Sequence, residues 1–120
     1  MQNYYENLKA FNPIKKEKYF EITVPVAMDI NHNLLKLYIK QLDNGYMIYD
    51  DGQLFKEYNS TTQYYYNLFI NNNEHNYDIK LKDDRFYKTY PDNFNIQVAI
   101  NEFVRFFVYL DDYILDNDII

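Results

Sequence analysis

The sequence predicts a small α+β domain: an antiparallel sheet of about four to five strands, a long C-terminal helix packed across it, and shorter N-terminal and central helices. Three observations predict this. Ile96, Ala99, Ile100, Phe103, Phe107, Leu110 and Ile114 recur at three- and four-residue steps, the stripe of an amphipathic helix over about 94–115. Two central stretches alternate apolar and polar residues, the period of a half-buried strand. The 120 residues contain no internal repeat and no linker-like stretch, so one domain, 1–120, accounts for the chain.

Each element follows from its residues. Tyr4, Leu8 and Phe11 are spaced for a short helix over 3–11 that ends before Pro13, and Lys15, Lys16 and Lys18 form a basic turn. Tyr19 to Met28 is rich in Phe, Ile, Thr and Val and predicts a strand, in which Pro25 requires an edge position or a bulge. Asp29 to Asn33 is a polar turn cluster. Leu34 to Gln41 sets Leu35, Leu37 and Ile39 on one side and Lys36, Tyr38 and Lys40 on the other. Asn44-Gly45 is a two-residue hairpin signal, and Tyr46 to Tyr49 is the returning strand, stopped by Asp51-Gly52. Gln53 to Tyr58 suits a helical turn. Ser60 suits the cap of a helix over Thr61 to Ile70, ended by Asn71-Asn72-Asn73. Tyr77 to Lys82 alternates again, with Tyr77, Ile79 and Leu81 on one face. Asp83-Asp84 is a turn, Arg85 to Tyr90 a returning strand, and Pro91-Asp92-Asn93 its break.

Composition narrows the function classes. There is no cysteine, which excludes disulfides and cysteine-ligated metal centres and fits a reducing compartment. No run approaches the roughly 20 apolar residues of a membrane span. The first residues carry Glu6 and Lys9 and lack the apolar core of a signal peptide, so a cytoplasmic protein is expected. Fifteen Tyr and nine Phe with no Trp imply that aromatic rings fill the space Leu and Val fill elsewhere. The net charge of −6 is uneven: residues 1–60 hold 7 Lys against 8 Asp and Glu, residues 61–120 hold 5 Lys and Arg against 10. That sign argues against direct nucleic-acid binding and for a basic protein partner.

Two constellations could carry function. The ends of the predicted hairpin bring Asp29, Asn31, His32 and Asn33 to the same end as Asp50, Asp51 and Gly52. Carboxylates converging there could hold Mg²⁺ or Mn²⁺, with Asp50 and Asp51 as ligands, or pair His32 with a carboxylate for acid–base work. The simpler reading is turn chemistry, since Asp, Asn and Gly are turn residues. The strand after the first carboxylate reads Lys36-Leu37-Tyr38-Ile39-Lys40 and lacks the Asp/Glu-x-Lys of restriction-type nucleases. Only two glycines are present, so no phosphate-binding glycine loop exists, and His32 and His75 are not at metal-helix spacing. The second constellation is acidic. Asp83-Asp84 and Asp111-Asp112, with Asp116 and Asp118, could imitate a row of phosphates; on a helix Asp111 and Asp118 share one face, Asp112 and Asp116 the next.

The run Pro25-Val26, Asp29, Asn31-His32-Asn33, Leu37-Tyr38-Ile39-Lys40, Gly45-Tyr46 and Ile48-Tyr49-Asp50-Asp51-Gly52 resembles the bacterial and phage family known as domain of unknown function 1828. Tyr90-Pro91 before a long helix is similar to that family's later Phe-Pro. The specific part is residues 25–52. The family's His-Asn-Asp order departs here to Asn31-His32-Asn33, and the loop after Gly52 is short. The resemblance implies a prokaryotic or phage setting and brings no established activity.

The expected function is therefore a small acidic interaction protein, phage or mobile-element encoded, with no cofactor. It would inhibit a host defence or nucleic-acid enzyme in the manner of an anti-CRISPR or anti-restriction DNA mimic. Asp83, Asp84, Asp111, Asp112 and Asp116 would meet Lys or Arg of the target, and Tyr64 and Tyr65 would anchor the contact. The alternatives are a metal-dependent nuclease-like or nucleotide-handling enzyme using Asp29, His32, Asp50 and Asp51, and a domain that dimerises through its aromatic surface.

Overall fold

The computed structural model describes residues 8–11, 13–27, 34–52, 61–72 and 74–118. Strand β1 is Ile14–Lys15, β2 Phe20–Ala27, β3 Leu34–Leu42 and β4 Gly45–Asp50. Helix α1 spans Thr61–Asn72, β5 Lys80–Lys82, β6 Arg85–Pro91 and helix α2 Ile96–Asp118. The strands form one antiparallel sheet in the order β1-β2-β3-β4-β6-β5. The sheet thus has six strands rather than four to five. The addition is β1, which the three lysines disguise as a turn and which pairs only Ile14 with Glu21 and Lys15 with Phe20.

Pro25 does what its missing N–H requires. The β2–β3 register slips between Val24 and Ala27, a bulge at the proline. The N-terminal helix is described only from Leu8 onward, where a 3₁₀ turn over Lys9–Phe11 buries Leu8 fully and ends short of Pro13. The helical turn expected over 53–58 and the cap Ser60 lie outside the described residues. The strand expected from Tyr77 begins at Lys80 instead. A 3₁₀ turn over Glu74–Asn76 runs into Tyr77 and Asp78 at φ 50° and 60°, and the Asp78 N–H donates to Asn76 Oδ1 at 3.0 Å. Asn76 Nδ2 also donates to Ile70 O at 2.9 Å, satisfying a carbonyl near the end of α1.

The first hairpin is present, but its glycine has another role. The two turn residues are Asp43 and Asn44, neither at positive φ, and Gly45 opens β4 opposite Leu42. A Cβ on Gly45 would stand 2.0 Å from the Tyr90 carbonyl oxygen. Close approach of β6, not turn conformation, selects glycine here. The second hairpin shows the opposite: Asp83 and Asp84 hold φ 54° and 66°, the left-handed pair of a type I′ turn between Lys82 and Arg85.

Helix α2 begins one residue past Asn95, whose Oδ1 accepts from the N–H of Gln97 at 2.9 Å and Val98 at 3.2 Å. From Ile96 to Leu110 the predicted stripe is at most 1% exposed, and Phe106, outside that stripe, is fully buried with it. The helix runs back along β6. Glu102 accepts from Tyr90 Oη at 3.0 Å and from Lys88 Nζ at 3.2 Å, and further on Phe106 and Phe107 pack edge-on against Phe86. Aromatics do fill this core. The largest fully buried side chains are Tyr46, Phe69, Phe86, Phe103, Phe106 and Phe107. Fully buried Tyr46 donates its hydroxyl to Phe94 O at 2.8 Å. No helix of the described residues is long and apolar enough to cross a membrane.

Candidate functional site

Strand pairing sorts the sheet into two faces. Both described helices pack on the face of Ile22, Leu37, Ile48 and Phe86, all fully buried. The opposite face is built by register. Glu21 pairs with Tyr38, Tyr38 with Tyr49, Tyr49 with Tyr87 and Tyr87 with Lys80, so three tyrosines stand in one row across β3, β4 and β6. Neighbouring strands lie about 4.8 Å apart, so the row spans about 10 Å from Tyr38 to Tyr87. Lys40, Met47 and Thr89 form the adjoining row on one side, and Lys82 and Arg85 pair on the other. Lys36, opposite Thr23, shares this face.

The result is a basic, aromatic surface on an acidic protein. Five of the chain's 12 lysines and arginines (Lys36, Lys40, Lys80, Lys82 and Arg85) are exposed here, against Glu21 in the tyrosine row, half-buried Asp51 past Tyr49 and Asp83 in the groove along β4 and β6. Among the described residues, no helix covers it. A groove of about 580 Å³ follows β4 and β6, lined by Lys40, Met47, Tyr49, Lys82, Asp83, Arg85 and Tyr87. The tyrosine rings are partly buried in the sheet surface and held by their neighbours. Tyr38 lies 5.3 Å from Tyr49 and 5.4 Å from Tyr19 between centroids, and the Arg85 guanidinium sits 5.8 Å from the Tyr49 centroid. Partial burial, then the negative charges of Asp51 and Glu21, pushes the Tyr38 phenol up; burial also raises Tyr49, against the opposing effect of Arg85. Both phenols therefore stay neutral across the physiological range.

Of the predicted hairpin-end residues, Asp50, Asp51 and Gly52 are described. Asp29 and His32 lie outside the described residues. Asp50 turns into the core at 1% exposure, and its Oδ1 accepts the Phe86 N–H at 2.8 Å where the β4–β6 ladder ends. Burial, only partly offset by the hydrogen bonds from Phe86 and Gly52, pushes its carboxyl up to about 7. Asp51 is half-buried on the other side of the strand end, close enough to raise Tyr38. Gly52, at φ 83°, turns the chain against the second hairpin: a Cβ there would meet the Asp84 carbonyl at 3.2 Å and Arg85 Cγ at 3.8 Å. No group of three or more His, Asp or Glu able to hold a metal forms among the described residues.

The predicted partner-binding residues separate. Asp83 and Asp84 are exposed at the β5–β6 turn. Tyr64 is 63% exposed on α1. Asp111 is half-buried and Asp112 exposed on α2, and because α2 passes Phe86 before reaching them, they lie toward the end of the sheet that holds Asp50 and the β5–β6 turn. Tyr65 and Asp116 fall within α1 and α2, but their side chains lie outside the described residues.

No family model, curated protein or solved structure matches this chain.

Proposed function

We propose that this chain is a binding module whose ligand-binding surface is the open face of its sheet, and that the partner there is polyanionic. The observation that supports this reading is a gathering of cations: Lys36, Lys40, Lys80, Lys82 and Arg85 share one face with three tyrosines and outnumber its carboxylates, while the described helices occupy the other face. A net charge of −6 weighs against nucleic-acid binding only if charge is evenly spread. Local potential, set within a Debye length of about 8–10 Å, governs contact. The protein is expected to be retained on heparin at low ionic strength despite its acidic pI of about 4.7. The double variant Lys82→Glu/Arg85→Glu should elute earlier and weaken binding, with the salt slope falling by roughly 1 for each cation removed. Retention of the double variant equal to that of the parent protein would remove this face from the reading.

A second reading keeps the acidic inhibitor of a host defence or nucleic-acid enzyme, of the anti-CRISPR or anti-restriction kind. What favours it is the gathering of Asp51, Asp83 and Asp84 where Gly52 meets the β5–β6 turn, with α2 running toward that end. Its test exploits the turn. Asp83→Asn/Asp84→Gly removes two charges yet supplies the residues a type I′ turn prefers, so folding should be unharmed. Loss of capture of a basic nucleic-acid enzyme by this variant, with an unchanged melting temperature, is the expected result; undiminished capture would count against the acidic surface.

A further inference from the structure

We infer that the open sheet face binds single-stranded nucleic acid, with bases stacked on the Tyr38–Tyr49–Tyr87 row and phosphates held by the flanking cations; this rests on the polyanion reading above and names its ligand. Three features distinguish a single strand from other polyanions. First, the tyrosines form a continuous row, one per strand, each ring half-exposed. Unpaired bases stack on exposed tyrosine rings whatever their sequence, whereas the affinity of a sulfated sugar comes chiefly from its charges. Second, the cations lie on both sides of the row. Lys40 is on one flank and Lys82 and Arg85 on the other, with Lys80 continuing it at the β5 edge, so a strand whose bases lie on the rings finds charge beside its backbone. Third, the groove of about 580 Å³ has room for a few stacked bases beside Tyr49 and Tyr87. A duplex keeps its base faces stacked internally and presents phosphates, sugars and base edges, so the tyrosine row would have no ring face to stack on.

Neutral phenols suit this role, and Arg85 over Tyr49 adds a second planar group to the platform. Glu21 in the tyrosine row, with Asp51 and Asp83 beside it, limits the affinity, and the contacts of cations with phosphates make it salt-dependent, with a log–log slope of roughly −2 to −3 for three or four such contacts.

The test measures fluorescence anisotropy of labelled oligothymidylate, oligouridylate, a duplex and heparin with the full chain at low salt. Both single strands are expected to bind at least tenfold more tightly than the duplex. Tyr49→Leu and Tyr87→Leu should each lose roughly tenfold for the single strands and little for heparin, whereas Tyr87→Phe should keep full affinity. Cross-linking of the unsubstituted protein to oligonucleotide carrying 5-iodouracil covers the case in which a leucine variant fails to fold. Cross-links should map to Tyr38, Tyr49 or Tyr87. Equal affinity for heparin, duplex and single strand, or cross-links confined to other residues, would overturn the single-strand inference and leave the polyanion reading standing. Binding to none of the four would overturn both.

Discussion

Gly45→Ala is expected to destabilise the protein by about 3 kcal/mol or more, and so to lower its melting temperature by roughly 10 °C. The physical cause is backbone against backbone. The new methyl would stand 2.0 Å from the Tyr90 carbonyl oxygen, 3.1 Å from the Tyr90 carbonyl carbon and 3.2 Å from Pro91 Cα. None of these is the end of a flexible side chain, so β4 and β6 must part at their Gly45–Pro91 pair. That separation would disturb the stacked rings of Tyr46 and Tyr90, 5.3 Å between centroids, and the Tyr46 hydroxyl bond to Phe94 that leads into α2. Reduced freedom of the unfolded chain favours alanine by at most about 1 kcal/mol and does not offset this. Gly45→Asn separates the two roles a glycine can play at a hairpin. Were a left-handed turn conformation the requirement, asparagine would be tolerated; for a close approach, it should be at least as damaging as alanine. Thermal melts of the two variants beside Asn44→Ala, expected to be mild, decide the matter, and a well-tolerated Gly45→Asn would contradict the close approach.

This glycine also marks how far the sequence is legible. Asn44-Gly45 announces a hairpin, and there is one, because either role of the glycine puts a chain reversal beside it. Which role applies depends on β6, some 45 residues later, and no local pattern carries that. The same holds for the aspartate doublet, legible as a turn because Asp tolerates positive φ. The long helix was visible because most of its stripe is set by one buried face; Phe106 escaped the stripe because Phe69, Tyr66 and Phe86 surround it from a second direction. Strand β1 was invisible, since two residues carry no period. The candidate site was half visible. Lys36, Tyr38 and Lys40 stand out as the polar side of β3, but their joining to Tyr49, Tyr87, Lys82 and Arg85 requires β6 to lie beside β4 and β5 beyond it. Net charge, a sum over the whole chain, concealed that local gathering of cations.

Asp50 supplies the other large effect, on the pH dependence of stability. Its carboxyl is raised from 3.8 to about 7 in the folded protein, chiefly by burial. Between those values the unfolded chain has lost a proton that the folded protein still holds. Stability from this group is therefore fully present below about pH 4 and lost as pH rises through about 7, with little further change above. A displacement of that size corresponds to about 4 kcal/mol at most. Asp50→Asn should abolish the slope while keeping an acceptor for the Phe86 N–H, so the variant should gain on the parent protein as pH climbs from 5 to 8. Asp50→Ala should instead be less stable at every pH by about 1–3 kcal/mol relative to Asp50→Asn, because the Phe86 N–H is buried without an acceptor. Urea denaturation across this range measures all three proteins, and parallel curves for the parent protein and Asp50→Asn would refute the buried, proton-holding carboxyl. The comparison also weighs the metal-centred alternative. A divalent cation at the hairpin end would hold the Asp50 carboxylate ionised, so Mn²⁺ would raise stability at pH 8 in the parent protein and not in Asp50→Asn. A carboxylate closed beneath the β4–β6 ladder predicts no such difference. The residue pair that first suggests a catalytic hairpin then divides its labour: Asp50 ends a strand from inside, and Asp51 borders the tyrosine face outside.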